Sequence, residues 1–223
     1  MNLTAKAKKY FAKHNVEDVV NDNMKYLFIL ESPHKSEIRN GYPVAGNSGV
    51  EMTKFIYDQS STQAFGKLVN NVENYQDQYK GLDKFGIMNA APAPMQASAL
   101  ENYDLSPAKE KILHILEKLR VNYQAKSHRD QEWNQIKTVL INNFAMRLTK
   151  ILSNYEVEYL IPCGKLAQNY LKLAITSKEI TTSAKIISEI PHPSRNQWRQ
   201  YSSMKNLEAV LTENVFKIIK KGD

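Results

Sequence analysis

The sequence predicts an α/β fold: a three-layer α/β/α sandwich around a central four-stranded, mainly parallel sheet. The first observation behind this is a set of four short apolar runs, at 26–30, 85–88, 157–161 and 185–190. They are separated mainly by stretches of helical spacing, the pattern of a parallel sheet covered on both faces. The second is that every run ends in a polar or proline-bearing loop: Glu31-Ser32-Pro33-His34, Asn89 ahead of Pro92, Gly164-Lys165, and His192-Pro193-Ser194. The third is that seven of the eight prolines lie in the segments that follow those runs or in the 41–49 segment. Proline cannot continue a central strand, so these segments mark strand ends. With 223 residues, no internal repeat and no domain-sized linker, one domain spanning 1–223 is expected.

Taken in order, residues 3–20 predict a basic amphipathic helix, with Lys6, Lys8, Lys9 and Lys13 alternating with Leu3, Ala7, Tyr10 and Phe11. It serves either as a solvated helix packed by one face or as a contact to a DNA backbone. The run Tyr26–Leu30 is a buried strand bounded by polar breakers, followed by a glycine-bearing loop over 31–49. Asn47 or Ser48 caps a helix through about Asp58, and a short helix follows near Gln63–Asn71. After the second strand, Ser106-Pro107 opens a helix to about Val121. A further helix, roughly Asp130–Asn154, carries Trp133, Ile136, Val139, Leu140, Phe144, Leu148 and Ile151 at core spacing. The third strand leads into a helix at Leu166–Ala174, and a helix over Met204–Lys220 closes the chain.

Composition narrows the classes. A net charge of +7 with a pI near 9.2 suits an anionic partner such as nucleic acid, and equally suits a mildly basic soluble protein. The lone cysteine, Cys163, leaves no intramolecular disulfide and no four-cysteine cluster within this chain, and it reads as a small buried residue. No apolar stretch approaches the roughly 20 residues that span a bilayer, and the lysine-bearing amino terminus lacks a signal-peptide core. The expectation is a cytoplasmic monomer with no membrane association, no metal, no iron–sulfur cluster and no other cofactor.

In a parallel sheet all strand carboxyl ends point one way, so the four loops share one rim, where open α/β sheets bind ligands. A rim with a carboxylate, an amide, an imidazole, hydroxyls and a lysine suits recognition and polarisation of a small heterocycle. The order and content of these motifs resemble the uracil-DNA glycosylase superfamily, from the first strand to the last helix. Leu30-Glu31-Ser32-Pro33-His34 is similar to its first motif, a strand running into a Gly-Glu/Gln-x-Pro turn. Glu37 and Gly41-Tyr42-Pro43-Val44-Ala45-Gly46-Asn47-Ser48-Gly49 reproduce the spacing of the iron–sulfur branch. Ile87-Met88-Asn89 is similar to the strand ending in a base-reading asparagine, and Gly164-Lys165-Leu166-Ala167-Gln168 resembles a Gly-x-x-Ala-Gln phosphate loop. His192-Pro193-Ser194 matches the second catalytic motif without change.

The resemblance implies a monofunctional DNA glycosylase that flips a nucleotide and hydrolyses its N-glycosidic bond, in repair or in defence against modified viral DNA. It implies His192 as hydrogen-bond donor to the departing base and Asn89 as reader of the base edge. Ser32 stands where the fastest branch has a water-positioning aspartate, which makes Glu31 the leading candidate to orient or deprotonate water and Glu37 the second. Val44 replaces an aromatic that stacks on uracil, and His34 replaces a tyrosine that excludes 5-substituted pyrimidines. Both changes favour a bulky 5-modified cytosine over uracil. Gly164, Lys165 and Ser194 are candidate phosphate contacts, and Arg195 or Gln197 is the candidate wedge filling the vacated stack. Trp198 either joins that wedge by stacking or inserting, or packs against the last helix. Two alternatives remain: a DNA-binding relative without catalysis, and a hydrolase of free nucleosides or nucleotides. The second lacks a dinucleotide-binding glycine motif or P-loop.

Overall fold

Burial of the central strands on both faces sets the architecture. A computed structural model describes residues 2–57, 60–100, 107–177, 179–194 and 198–212. Strand β1 (Tyr26–Leu30) is central, flanked by β2 (Phe85–Asn89) and β3 (Tyr159–Pro162), with β4 (Lys185–Ile186) outside β3. The order is β2-β1-β3-β4 and every pairing between these strands is parallel. Leu27 and Ile29 of β1 face one core with Met88 and Leu160, while Tyr26, Phe28 and Leu30 face the other with Phe85, Ile87 and Ile161. A strand apolar on both faces requires cover on both, and the helices provide it.

On the first face lie α1 (Leu3–Lys13), α6 (Pro107–Val121), α7 (Gln131–Asn154) and α8 (Lys165–Thr176). Helix α1 buries Ala7, Tyr10 and Phe11 while Lys8, Lys9 and Lys13 stay in solvent. Its packing has a consequence for the sheet end: the Tyr10 hydroxyl donates to the Pro94 carbonyl at 2.8 Å, fixing the loop after β2. Helix α7 opens with Asp130 as N-cap, accepting from the backbone N–H of Glu132 and Trp133. The second face carries α3 (Asn47–Tyr57), α4 (Phe65–Asn70), the one-turn α5 (Val72–Tyr75) and α9 (Met204–Leu211). Of the expected final helix, the part beyond 212 lies outside the described residues, as does Ser106.

Three expectations need correction. Residues 35–40 form a helix, α2 (Lys35–Asn40), where a loop was expected. Glu37 at its third position accepts from the His34 backbone N–H at 2.8 Å, and Gly41 ends it with φ of 81°. Helix α1 stops at Lys13 and does not reach residue 20, because the chain leaves it to make a bridge from Val19 to Ile87 of β2. Strand β4 has two residues where six were expected. Ile187 still donates to the Leu160 carbonyl at 3.0 Å, but Glu189 adopts a left-handed φ of 64° and turns the chain off the ladder.

The segment between α2 and α4 is packed backbone on backbone. A Cβ added to Gly66 would lie 1.9 Å from the Pro43 carbonyl oxygen, a backbone atom that no rotamer change can move aside. Gly66→Ala is therefore expected to lower stability by about 1–3 kcal/mol. The check is a lower urea midpoint at unchanged denaturant slope.

Candidate active site

The carboxyl ends of the strands bring most of the singled-out residues to one cavity of about 640 Å³. Glu31, Ser32, His34, Val44, Asn89, His192 and Ser194 all line it. So do Glu37, Gln96, Arg120 and the hydroxyl- and amide-bearing segment Gly46-Asn47-Ser48. A second cleft of similar volume lies between α1 and α7, lined by Phe11, Val139 and Met146 among others. It has no carboxylate and no imidazole, the acid–base groups that the first cavity brings together.

Asn89 ends β2 directly opposite Leu30 in the register, which sets it beside Glu31 on the next strand. The pairing continues past the strands, with Ala91 N–H donating to the Glu31 carbonyl at 2.9 Å. From below, Arg147 of α7 donates to the Asn89 and Ala90 carbonyls at 2.7 and 3.1 Å and pairs with Asp18 at 2.6 Å. That ion pair is only about 15% exposed at each partner, so it braces the strand end rather than decorating the surface. The Asn89 side chain is 1% exposed. Its Nδ2 donates to Glu37 Oε1 at 3.3 Å, and its Oδ1 is buried without a hydrogen-bond partner. A buried amide acceptor with no partner costs about 1–3 kcal/mol, and a ligand donor would remove that cost.

Glu37 has a different role from the one expected. Its carboxylate is buried and accepts three hydrogen bonds, from His34 N–H at 2.8 Å, Val44 N–H at 2.7 Å and Asn89 Nδ2. Burial raises its pKa, and the three donors oppose that rise. With both oxygens engaged, it braces the pocket instead of activating water. Val44, which it holds, is buried at a left-handed φ of 46°, a costly conformation for a β-branched residue.

Glu31 is the cavity carboxylate that makes no hydrogen bond to the described residues. Its Oε1 lies where a Cβ on Gly164 would come within 2.8 Å, so only glycine, here at φ of 92°, fits beneath it. Its Oε2 is 3.8 Å from the Arg120 guanidinium. The Gly164 N–H donates to the Ile190 carbonyl at 2.9 Å. That corrects the expectation of a phosphate contact at this amide, because its proton is already used. The Gln168 side chain donates to the same carbonyl at 2.7 Å, and Trp198 Nε1 donates to the Pro191 carbonyl at 2.7 Å. These three bonds hold the loop that carries His192. Trp198 is buried, with its ring 5.3 Å from that of Phe55, so it packs and is not part of a wedge.

His192 is partly buried at the cavity wall. Burial lowers its pKa below the ordinary histidine value; Glu31 pulls it up and Arg120 pushes it further down. The imidazole is therefore neutral near pH 7, able to donate one hydrogen bond. Ser194 is exposed at the rim. Lys165 is exposed at the start of α8 and does not line the cavity. Arg195 and Gln197 lie outside the described residues. Cys163 is fully buried, with its thiol pKa raised by burial, and has no part in the site. Among the described residues no group of three or more His, Cys, Asp or Glu side chains is placed to hold a metal ion. No helix among them is long and apolar enough to cross a membrane.

Sequence reading missed Arg120 and Gln96. Arg120 lies in the last turn of α6, where a basic residue is expected for the helix dipole alone. Gln96 is one polar residue in a proline-rich loop. Neither has a local signal.

The fold and cavity define an α/β protein with a polar cavity at the carboxyl edge of a parallel sheet. No family model matches the sequence, and no curated protein matches it at a significant level.

Proposed function

We propose that this chain is a monofunctional DNA glycosylase of the uracil-DNA glycosylase type, hydrolysing the N-glycosidic bond of a flipped pyrimidine. The observation that carries this reading is the unpartnered, buried Oδ1 of Asn89, in one cavity with Glu31 and His192. A base cannot be attacked within the stack, so it enters the cavity extrahelically. Asn89 Oδ1 accepts from a ring or amino N–H, while Glu37 holds the amide in that orientation. His192 donates to the base oxygen as negative charge develops there. The carboxylate of Glu31 faces the developing oxocarbenium ion and takes a proton from the attacking water. The C1′–N bond breaks with its electron pair going to the base, the water oxygen bonds to C1′, and the base leaves to be protonated. Ser32 and Ser194, at the cavity wall, are candidates to hold the water and a phosphate.

Asn89 Oδ1 suits the N3–H of uracil and the amino group of cytosine alike, so preference between them comes from the 5-position. There the wall is Val44, an aliphatic side chain, with exposed His34 at the rim. A cavity of about 640 Å³ is larger than a bare pyrimidine requires. Its remaining lining of Ser36, Asn47, Ser48 and Gln96 suits a hydroxylated substituent. The expected result is faster excision from duplexes carrying hydroxymethylated or glycosylated cytosine than from uracil-containing ones, read as alkali-labile strand breaks. Inactivity on every duplex, with binding intact, would leave the reading of a DNA-binding relative without catalysis.

A further inference from the structure

We infer that Arg120 is a phosphate-binding residue of this site, exchanging its loose contact with Glu31 for a backbone phosphate of the flipped nucleotide. This rests on the glycosylase-type reading above and names the part of the substrate that the residue takes.

Among the described residues Arg120 is the one lysine or arginine lining the cavity. Its guanidinium lies 3.8 Å from Glu31 Oε2, beyond hydrogen-bond distance, and it makes no hydrogen bond to any described residue. The two side chains are 38% and 20% exposed, so the guanidinium stands at the opening and the carboxylate deeper within. Five donors in a planar fork, near a carboxylate but not bonded to it, match a group with two accessible anionic oxygens. A nucleotide flipped into the cavity carries its phosphates to the opening, while its base goes inward to Asn89.

The mounting of the arginine is rigid. It sits one residue before the end of α6, a helix of 15 residues. Glu117, one turn earlier, accepts from the Ala97 N–H at 2.7 Å and ties that helix to the loop following Asn89. The arginine is thereby held at a fixed place relative to the base-reading amide. Hydroxyls of Ser32, Ser36, Ser48 and Ser194 line the same cavity and can complete the shell of a phosphate. The exchange also has a consequence for catalysis. While paired with Arg120, Glu31 shares its charge with a cation. Once a phosphate takes the guanidinium, the carboxylate faces the sugar and its water alone.

The test uses a duplex with one tetrahydrofuran abasic nucleotide, which is not a substrate, and two companions. In these a neutral methylphosphonate replaces the phosphate on the 5′ or the 3′ side of that nucleotide. For Arg120→Gln, the slope of log affinity against log salt is expected to fall by about 0.9, the value for one phosphate. Affinity at low salt is expected to weaken roughly tenfold. Arg120→Lys should retain the salt slope and recover part of the affinity. One methylphosphonate should weaken the wild type by the same roughly tenfold factor and leave Arg120→Gln unaffected. If Arg120→Gln binds with the wild-type slope and still responds to both methylphosphonates, the inference is overturned while the glycosylase reading stands. If the coupling is present but no base is ever released, the inference holds and the hydrolytic reading fails. A wild type that does not bind the duplex overturns both.

Discussion

Glu31→Gln is expected to slow base release by roughly 100- to 10,000-fold while leaving affinity for abasic-site DNA largely intact. The substitution keeps the volume of the side chain and removes its charge and basicity. Two carboxylates line the cavity, and only one is available. Glu37 is committed to His34, Val44 and Asn89, so its loss would damage the pocket rather than the chemistry. Glu31 has one oxygen against the glycine that opens α8 and the other toward Arg120, with no hydrogen bond between its carboxylate and the described residues. In the proposed reaction an anion there would serve both demands, stabilising the sugar cation and accepting a proton from water. Single-turnover rates with saturating enzyme separate this loss from a binding defect. Full activity in Glu31→Gln, with loss in Ser32→Ala, would transfer water activation to the serine.

His192→Ala is expected to lower the single-turnover rate by about 100- to 1,000-fold, the cost of removing one preorganised donor to a developing anion. Its pH dependence follows from the environment. Burial, helped by Arg120, depresses the imidazole pKa below the ordinary value of about 6.5. Between the folded value and the ordinary one, the unfolded chain binds the proton and the native ring does not. Stability therefore falls as pH drops through that window and is unaffected by this group above it. Activity should follow the neutral ring, constant near pH 7 and declining on the acid side below the ordinary histidine range. His192→Gln, which keeps a neutral donor, should recover part of the rate and lose that acid limb. An acid limb unchanged in His192→Gln would assign it to another group.

The strand ends were legible because they combine two signals with the same physical origin. A buried parallel strand must be apolar throughout, and its loop must be polar where ligands bind, so Leu30-Glu31 and Met88-Asn89 mark a boundary in sequence and in space. The convergence of Glu31 and Asn89 follows from parallel order, while His192, six residues beyond the end of β4, is brought to the same cavity by a loop held by Gly164, Gln168 and Trp198. What was not legible depended on side-chain partners. Motif position ranks Glu31 ahead of Glu37, but the sequence does not show that Glu37 is committed elsewhere; three buried donors on its carboxylate do. Helix α2 was hidden because six residues carry too few turns for a hydrophobic period, although His34, Glu37 and Gly41 hold its cap spacing. Gly164 is a candidate phosphate contact by sequence, but its N–H, like the Gln168 side chain, donates to the Ile190 carbonyl and positions the histidine loop. Arg120 arrives from α6, far in sequence from any strand end, and only packing brings it to Glu31.

The central claim is hydrolysis of a base from DNA, and its most direct measurement is the stoichiometry of products. Duplexes bearing uracil, hydroxymethylcytosine or glycosylated cytosine would be incubated with the wild-type protein. Free base would be quantified by mass spectrometry and abasic sites by aldehyde-reactive labelling of the same sample. The account predicts free base and abasic sites in equal amounts from at least one of these duplexes, with both products falling together in Glu31→Gln. Tight binding to all of the duplexes with neither product formed would contradict it.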